Sequence, residues 1–168
     1  MDFTVIQNFA STPDSVAQAY ASAEMYGHLV GLPKLATPEV LERRINGDVV
    51  RLRVRHRFVG DLSPAVTAVV DPARLSWVES SVHDLQRLTV TWEMLPDHYP
   101  DRLRSSGTCS LAVDGSGCVR TVRGRLKVRA LVVGGAVERA IVSGLREHLV
   151  HEVPIVDRLA LETGGGAP

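Results

Sequence analysis

Between Val49 and Phe58 the chain alternates without a break. Val50, Leu52, Val54, His56 and Phe58 take the even positions, and Arg51, Arg53, Arg55 and Arg57 the odd ones. Successive side chains of a strand point to opposite faces, so this stretch is a β-strand with an apolar side and a basic side. The guanidinium groups require water and the aliphatic side requires a cover, which restricts the strand to a sheet with one solvated face. Asn46-Gly47, just ahead of it, is a strong hairpin signal, with Glu39 to Ile45 as the partner strand. Period-two patterning recurs in Phe3, Val5, Gln7 and Phe9 against Thr4, Ile6 and Asn8. Further strands are predicted over Leu75–Val82, Leu88–Leu95, Leu103–Val113 and Cys118–Val132. The second of these carries Leu88, Val90, Trp92 and Met94 on one face, and in the last Val122, Leu126 and Val128 oppose Arg123, Arg125, Lys127 and Arg129. About seven strands joined largely by short turns predict an antiparallel meander.

Helices are expected at both ends of this run. Thr12-Pro13-Asp14 supplies an N-cap, a proline at the first helical position and an acid in the first turn. The helix that follows has Val16, Ala19, Tyr20 and Ala23 on one face, and Gly27, Gly31 and Pro33 divide what comes next, giving two short helices. Ser63 to Val70 reads as a short helix or an irregular connection. After Gly134-Gly135 a long helix is predicted from about Ala136 to Leu161, with Val137, Ile141, Gly144, Leu145, Ile155, Val156 and Leu159 on one stripe. Pro154 predicts a kink near Val150 to Pro154. The layout is α+β, one domain over residues 1–163, with a mobile tail at Gly164–Pro168.

Composition narrows the partners. The 19 basic and 19 acidic side chains cancel, so no global field draws the chain to nucleic acid, and the arginine rows read first as a solvated outer face. A docking face for an acidic partner or membrane surface is the competing use of those rows. No apolar run approaches the roughly 20 residues that cross a bilayer. Cys109 and Cys118 lack metal-ligand spacing and read as small buried hydrophobes, and no leader pattern opens the chain, so a reduced, cytoplasmic setting is expected.

A strongly bent sheet can wrap the final helix and enclose a cavity. The opening Phe3-Thr4-Val5 strand, Ala10-Ser11-Thr12-Pro13-Asp14-Ser15-Val16 leading into the first helix, and Gly134-Gly135-Ala136-Val137-Glu138 leading into the last resemble the START-like, or helix-grip, superfamily of polyketide cyclases and lipid-transfer domains. More narrowly the chain looks like an actinobacterial branch of unassigned function. The resemblance implies a curved antiparallel sheet around the C-terminal helix and a lipid, isoprenoid quinone, polyketide or sterol-like ligand; no cofactor is expected.

His148 and Glu152 are the most informative candidates, because their i,i+4 spacing sets both on the stripe that otherwise buries aliphatic residues. His56 is the lone polar member of its strand's inner face. These three are expected as polar fixtures of a ligand pocket walled by Phe58, Trp92, Met94, Leu145 and Leu149. The competing reading makes each a hydrogen-bonded core or rim residue, or has the helix kink turn His148 and Glu152 to solvent. An enzyme of the cyclase or hydrolase kind would use His148 as acid or base and Glu152 as its orienter. Glu147, His148, His151 and Glu152 crowd together but form no HExxH, and no metal is expected. Serine-hydrolase, Walker and Rossmann signatures are absent. The Pro96–Asp101 loop and the Leu29–Pro38 segment are candidate lips of the pocket, and no particular protein partner is indicated.

Overall fold

A computed structural model describes residues 1–62, 64–67, 71–130 and 134–164. Seven strands form one antiparallel sheet: β1 (Asp2–Phe9), β2 (Glu39–Asn46), β3 (Val49–Arg57), β4 (Ser76–Asp84), β5 (Thr89–Pro96), β6 (Leu103–Asp114) and β7 (Gly117–Val128). Their spatial order is β1-β7-β6-β5-β4-β3-β2, so the first strand closes on the last. Helices α1 (Pro13–Tyr20) and α2 (Glu24–Gly27) follow β1, α3 (Pro64–Thr67) and a 3-10 turn (Pro72–Arg74) follow β3, and α4 (Gly134–Gly164) ends the chain. α4 lies against β1, β7 and α1.

Sequence chemistry accounts for the element boundaries. The Thr12 hydroxyl accepts from the Ser15 amide and Pro13 opens α1, as the cap signal required. The β2–β3 loop is Gly47-Asp48, with Asn46 already paired to Val49 and Gly47 in the left-handed region at φ 58°. The β6–β7 turn places Gly115 at φ 57°. Leu88, expected as the first residue of its strand, instead sits at φ 55° in the turn, and β5 begins at Thr89. β7 stops at Val128, so Arg129 leaves the basic outer row to which alternation assigned it; Leu131, Val132 and Val133 lie outside the described residues. Ser63 and residues 68–70 of the predicted connection, and residues 165–168 of the expected tail, also lie outside them.

α4 runs as one helix from Gly134 to Gly164 with Pro154 inside it. Pro154 leaves the Val150 carbonyl without its intrahelical donor, and Val150 lies on the solvent side of the helix at 59% exposure. Asp157 on the same helix accepts from the Ala10 and Ser11 amides, both at 3.0 Å, and so fastens α4 to the β1–α1 connection.

The strand register assigns the inner face. Val50, Leu52, Val54 and His56 of β3 pair with His83, Ser81, Glu79 and Trp77 of β4. The row continues through Val90, Trp92, Met94 and Pro96 of β5. Gly107 and Gly124 are paired in β6 and β7, and a Cβ on either would meet Trp92 Cζ2, at 2.6 Å and 2.9 Å. Their bare backbone is the floor on which the indole lies beside Phe3, ring centroids 6.3 Å apart. On the outer face Arg51, Arg53, Arg55 and Arg57 are exposed. Arg55 pairs with Glu39 and Asp97, and Arg125 of β7 with Asp2. The β3 and β7 rows are separated by β4, β5 and β6, so they do not form one basic track. Among the described residues no helix is long and apolar enough to cross a membrane.

Candidate functional site

Two regions of different chemistry occupy the interior. The first is a buried polar network where α4 passes over β1 and β7. Glu152, 4% exposed, accepts at Oε1 from the Tyr20 hydroxyl at 2.6 Å and from Gln7 Nε2 at 3.1 Å. Gln7 Nε2 also donates to the Leu149 carbonyl at 2.6 Å, and its Oε1 accepts from Arg120 at 2.6 Å. Arg120 lies 3.6 Å from Glu152, stacks its guanidinium 3.9 Å above the Tyr20 ring and reaches Cys109 Sγ at 3.3 Å. Burial drives the Tyr20 phenol far above its ordinary range, so it stays protonated and donates. Each member of this network is satisfied by the others, as buried polar groups require.

His148 borders the network without completing it. Its Nε2 is 3.8 Å from Glu152 Oε2, beyond hydrogen-bond reach, and its Nδ1 is 3.4 Å from the Pro33 carbonyl. The Leu29–Pro38 segment is further tied down by Lys34 and Ala36, which exchange main-chain bonds with Val59 and Arg57. His56 stacks on Trp77, centroids 5.5 Å apart, and neither ring nitrogen has a hydrogen-bond partner among the described protein groups. Burial, and secondly the nearby His148, pull its pKa to about 3. Burial lowers His83 to about 4. Half-buried Glu79, raised by burial to about 7 against the pull of Arg120, has no side-chain hydrogen bond or ion pair among the described residues.

The second region is an apolar cavity of about 350 Å³ near the start of α4. Leu62, Val66, Leu75, Leu103, Val128, Val137 and Ile141 supply its wall, with Tyr99, Arg102 and Arg129 also lining it. A minor pocket of about 10 Å³ beside His83, Cys109 and Arg120 is of a water's size.

The eight residues expected at the pocket divide between these regions. Trp92, Leu145 and Leu149 come together in one apolar cluster, to which Leu103 and Ile141 of the cavity wall also belong. His148 and Glu152 meet, with His56 close by. Met94 is half-buried between Glu79 and Ser105, and Phe58 folds over Gly60 and the Lys34 stem at the end of β3. None of the eight is among the described residues that line the 350 Å³ cavity. Gln7 was placed on the inner row of β1 by alternation, whereas Arg120 was missed, although it shares the parity of Cys118, Val122 and Leu126 in β7. Glu79 gave no such signal, because β4 mixes polar and apolar residues on both faces.

A curved antiparallel sheet closed around a C-terminal helix, with short helices after the first strand, is the helix-grip architecture of START-like proteins. Within it, this chain belongs to the family described as "Protein of unknown function (DUF2505)", whose model matches residues 4–158. Among curated proteins no sequence matches. Solved structures of similar fold include the Zhui aromatase/cyclase of Streptomyces sp. R1128, with TM-score 0.67, 13% identity and coverage of 100% of this chain and 99% of that one. A protein of Thermus thermophilus gives 0.65 at 15% identity, covering 97% and 99%. Norcoclaurine synthase of Thalictrum flavum gives 0.62 at 18% identity, covering 96% and 87%.

Proposed function

We propose that this protein binds and carries a small hydrophobic or amphipathic molecule in the cavity between the sheet and the first turns of α4. The observation that carries this reading is the cavity: about 350 Å³, walled by aliphatic side chains and within the size range of small-molecule pockets. The enclosed face offers an apolar guest release from water over most of its surface.

Binding is favoured over turnover by the state of the one acid–base pair the sequence offered. Glu152 already receives Tyr20 and Gln7 and sits beside Arg120, which makes it a fixed structural anion rather than an orienter for His148. The docking-face alternative is weakened because the two basic rows are separated by three strands, and Arg55 and Arg125 are already paired with acids.

Native mass spectrometry of the protein purified from its own host is expected to show a small-molecule adduct. Ile141→Trp, which drives an indole into the cavity, is expected to remove the adduct while leaving the urea midpoint nearly unchanged. A wild-type protein with no adduct and no uptake of an anilinonaphthalene sulfonate probe would contradict the reading.

A further inference from the structure

The cavity's charged lining is of one sign. Among the described residues its wall is aliphatic apart from Tyr99 and two arginines, Arg102 and Arg129, with no carboxylate. The two are held side by side, because the Arg129 amide donates to the Arg102 carbonyl at 2.7 Å. Their position is set by a tight turn in which the Arg102 and Leu103 amides both donate to the Tyr99 carbonyl, at 2.9 Å and 3.1 Å, with Tyr99 at φ 60°. Arg74, outside the lining, holds its guanidinium 5.3 Å from the Tyr99 ring centroid. Neither Arg102 nor Arg129 forms an ion pair among the described residues, and Asp101, next to Arg102 in sequence, neither lines the cavity nor pairs with it.

This arrangement separates two demands on a guest. The aliphatic wall takes a chain, and the arginines, both exposed, take a charge that remains partly hydrated at the mouth. A guanidinium stays charged at every accessible pH and presents a planar fork suited to carboxylate or phosphate oxygens. An uncharged quinone or sterol leaves both forks unmatched, and an amine is repelled. We infer that the cavity holds an aliphatic amphiphile with an anionic head, a carboxylate or a phosphate monoester, whose chain lies inside and whose head lies between Arg102 and Arg129. This rests on the cavity being the binding site, and it selects among the ligand classes that the site admits.

Calorimetric titration with octanoate, octyl phosphate and octan-1-ol tests it, since the three share a chain and differ in the head. At low salt at least one anion is expected to bind about tenfold tighter than the alcohol, the scale of a charge-assisted contact. The preference should shrink as salt rises. The double variant R102Q/R129Q is expected to lose the preference while its affinity for octan-1-ol stays within about twofold, the forks being absent from alcohol recognition. Which anion leads identifies the head. Alcohol and both anions binding alike overturns the anionic head and leaves the cavity reading standing. Binding of none of the three overturns both, and an anion preference that survives in the double variant overturns the role of these arginines alone.

Discussion

Arg120→Met removes the one cation of the buried network while keeping an unbranched apolar stem in place. The variant loses the 2.6 Å bond to Gln7, the 3.6 Å approach to Glu152 and the stacking 3.9 Å above Tyr20. Glu152 retains two neutral donors, Tyr20 and Gln7, but no counter-charge among them. Breaking a buried ion pair from one side costs about 3–5 kcal/mol, because the other charge is left uncompensated. The stacking lost with it, about 2 kcal/mol when desolvated, shares the same partners and does not add in full. A loss of about 4 kcal/mol is therefore expected, against a total of about 5–15 kcal/mol for a typical domain. At roughly 2–4 °C per kcal/mol for a chain of this size, Tm should fall by about 8–16 °C. The assay is urea unfolding of wild type, Arg120→Met, Glu152→Gln and the double variant. Removing both charges should restore at least half of the loss, so the cycle should show coupling of about 2 kcal/mol or more. A single variant within about 1 kcal/mol of wild type, or strictly additive losses, would refute the account of the network as a compensated pair.

Two further outcomes follow from the inner face. Gly107→Ala puts a Cβ 2.1 Å from the Arg123 carbonyl oxygen and 2.6 Å from Trp92 Cζ2, so it is expected to cost at least about 1–3 kcal/mol and to shift tryptophan emission; a neutral substitution would contradict the indole's position on the glycine floor. The pH dependence of stability should have two opposed parts. His56 and His83 are pulled to about 3 and about 4, so the unfolded chain takes up protons first and stability falls as pH drops from about 6.5 towards 4. Glu79 is raised from 4.5 to about 7, so the folded chain holds its proton longer and its cost grows as pH rises through that window. Glu79→Gln should therefore stabilise the protein at pH 8 by up to roughly 3 kcal/mol and by little at pH 5, read from urea midpoints at the two values; equal gains at both would contradict the burial of an ionising carboxyl.

Strong alternation and cap chemistry made most of the fold legible. The even-numbered aliphatics of β3 and the Thr12-Pro13 cap left few alternatives for their segments, and Gly134-Gly135 marked where the last helix takes over from the sheet. Helical spacing likewise brought His148 and Glu152 together on one face. The rest depended on facts that spacing does not carry. That Arg120 and Gln7 converge on Glu152 requires the pairing of β1 with β7, two segments more than a hundred residues apart. That Glu79 faces inward follows from its register opposite Val54, since its own strand has no clean alternation. The cavity depends on how far α4 stands from the sheet near Ile141, a packing distance that periodicity leaves open.

The Gln7–Glu152 bond spans 145 residues, and it joins the first strand to the last helix. On a ribosome adding about 5–20 residues per second, β1 waits roughly 7–30 s before its hydrogen-bonding neighbour and its helical cover have both been made. Phe9 can meet Tyr20 early, but Phe3 waits for Trp92 and Val5 for Val122 of β7, and the β2–β6 hairpins must form without the strand that ends the sheet. The first strand therefore gains its sheet partner only with β7 and its helical cover only with α4, which makes the closure of the sheet a late, long-range event.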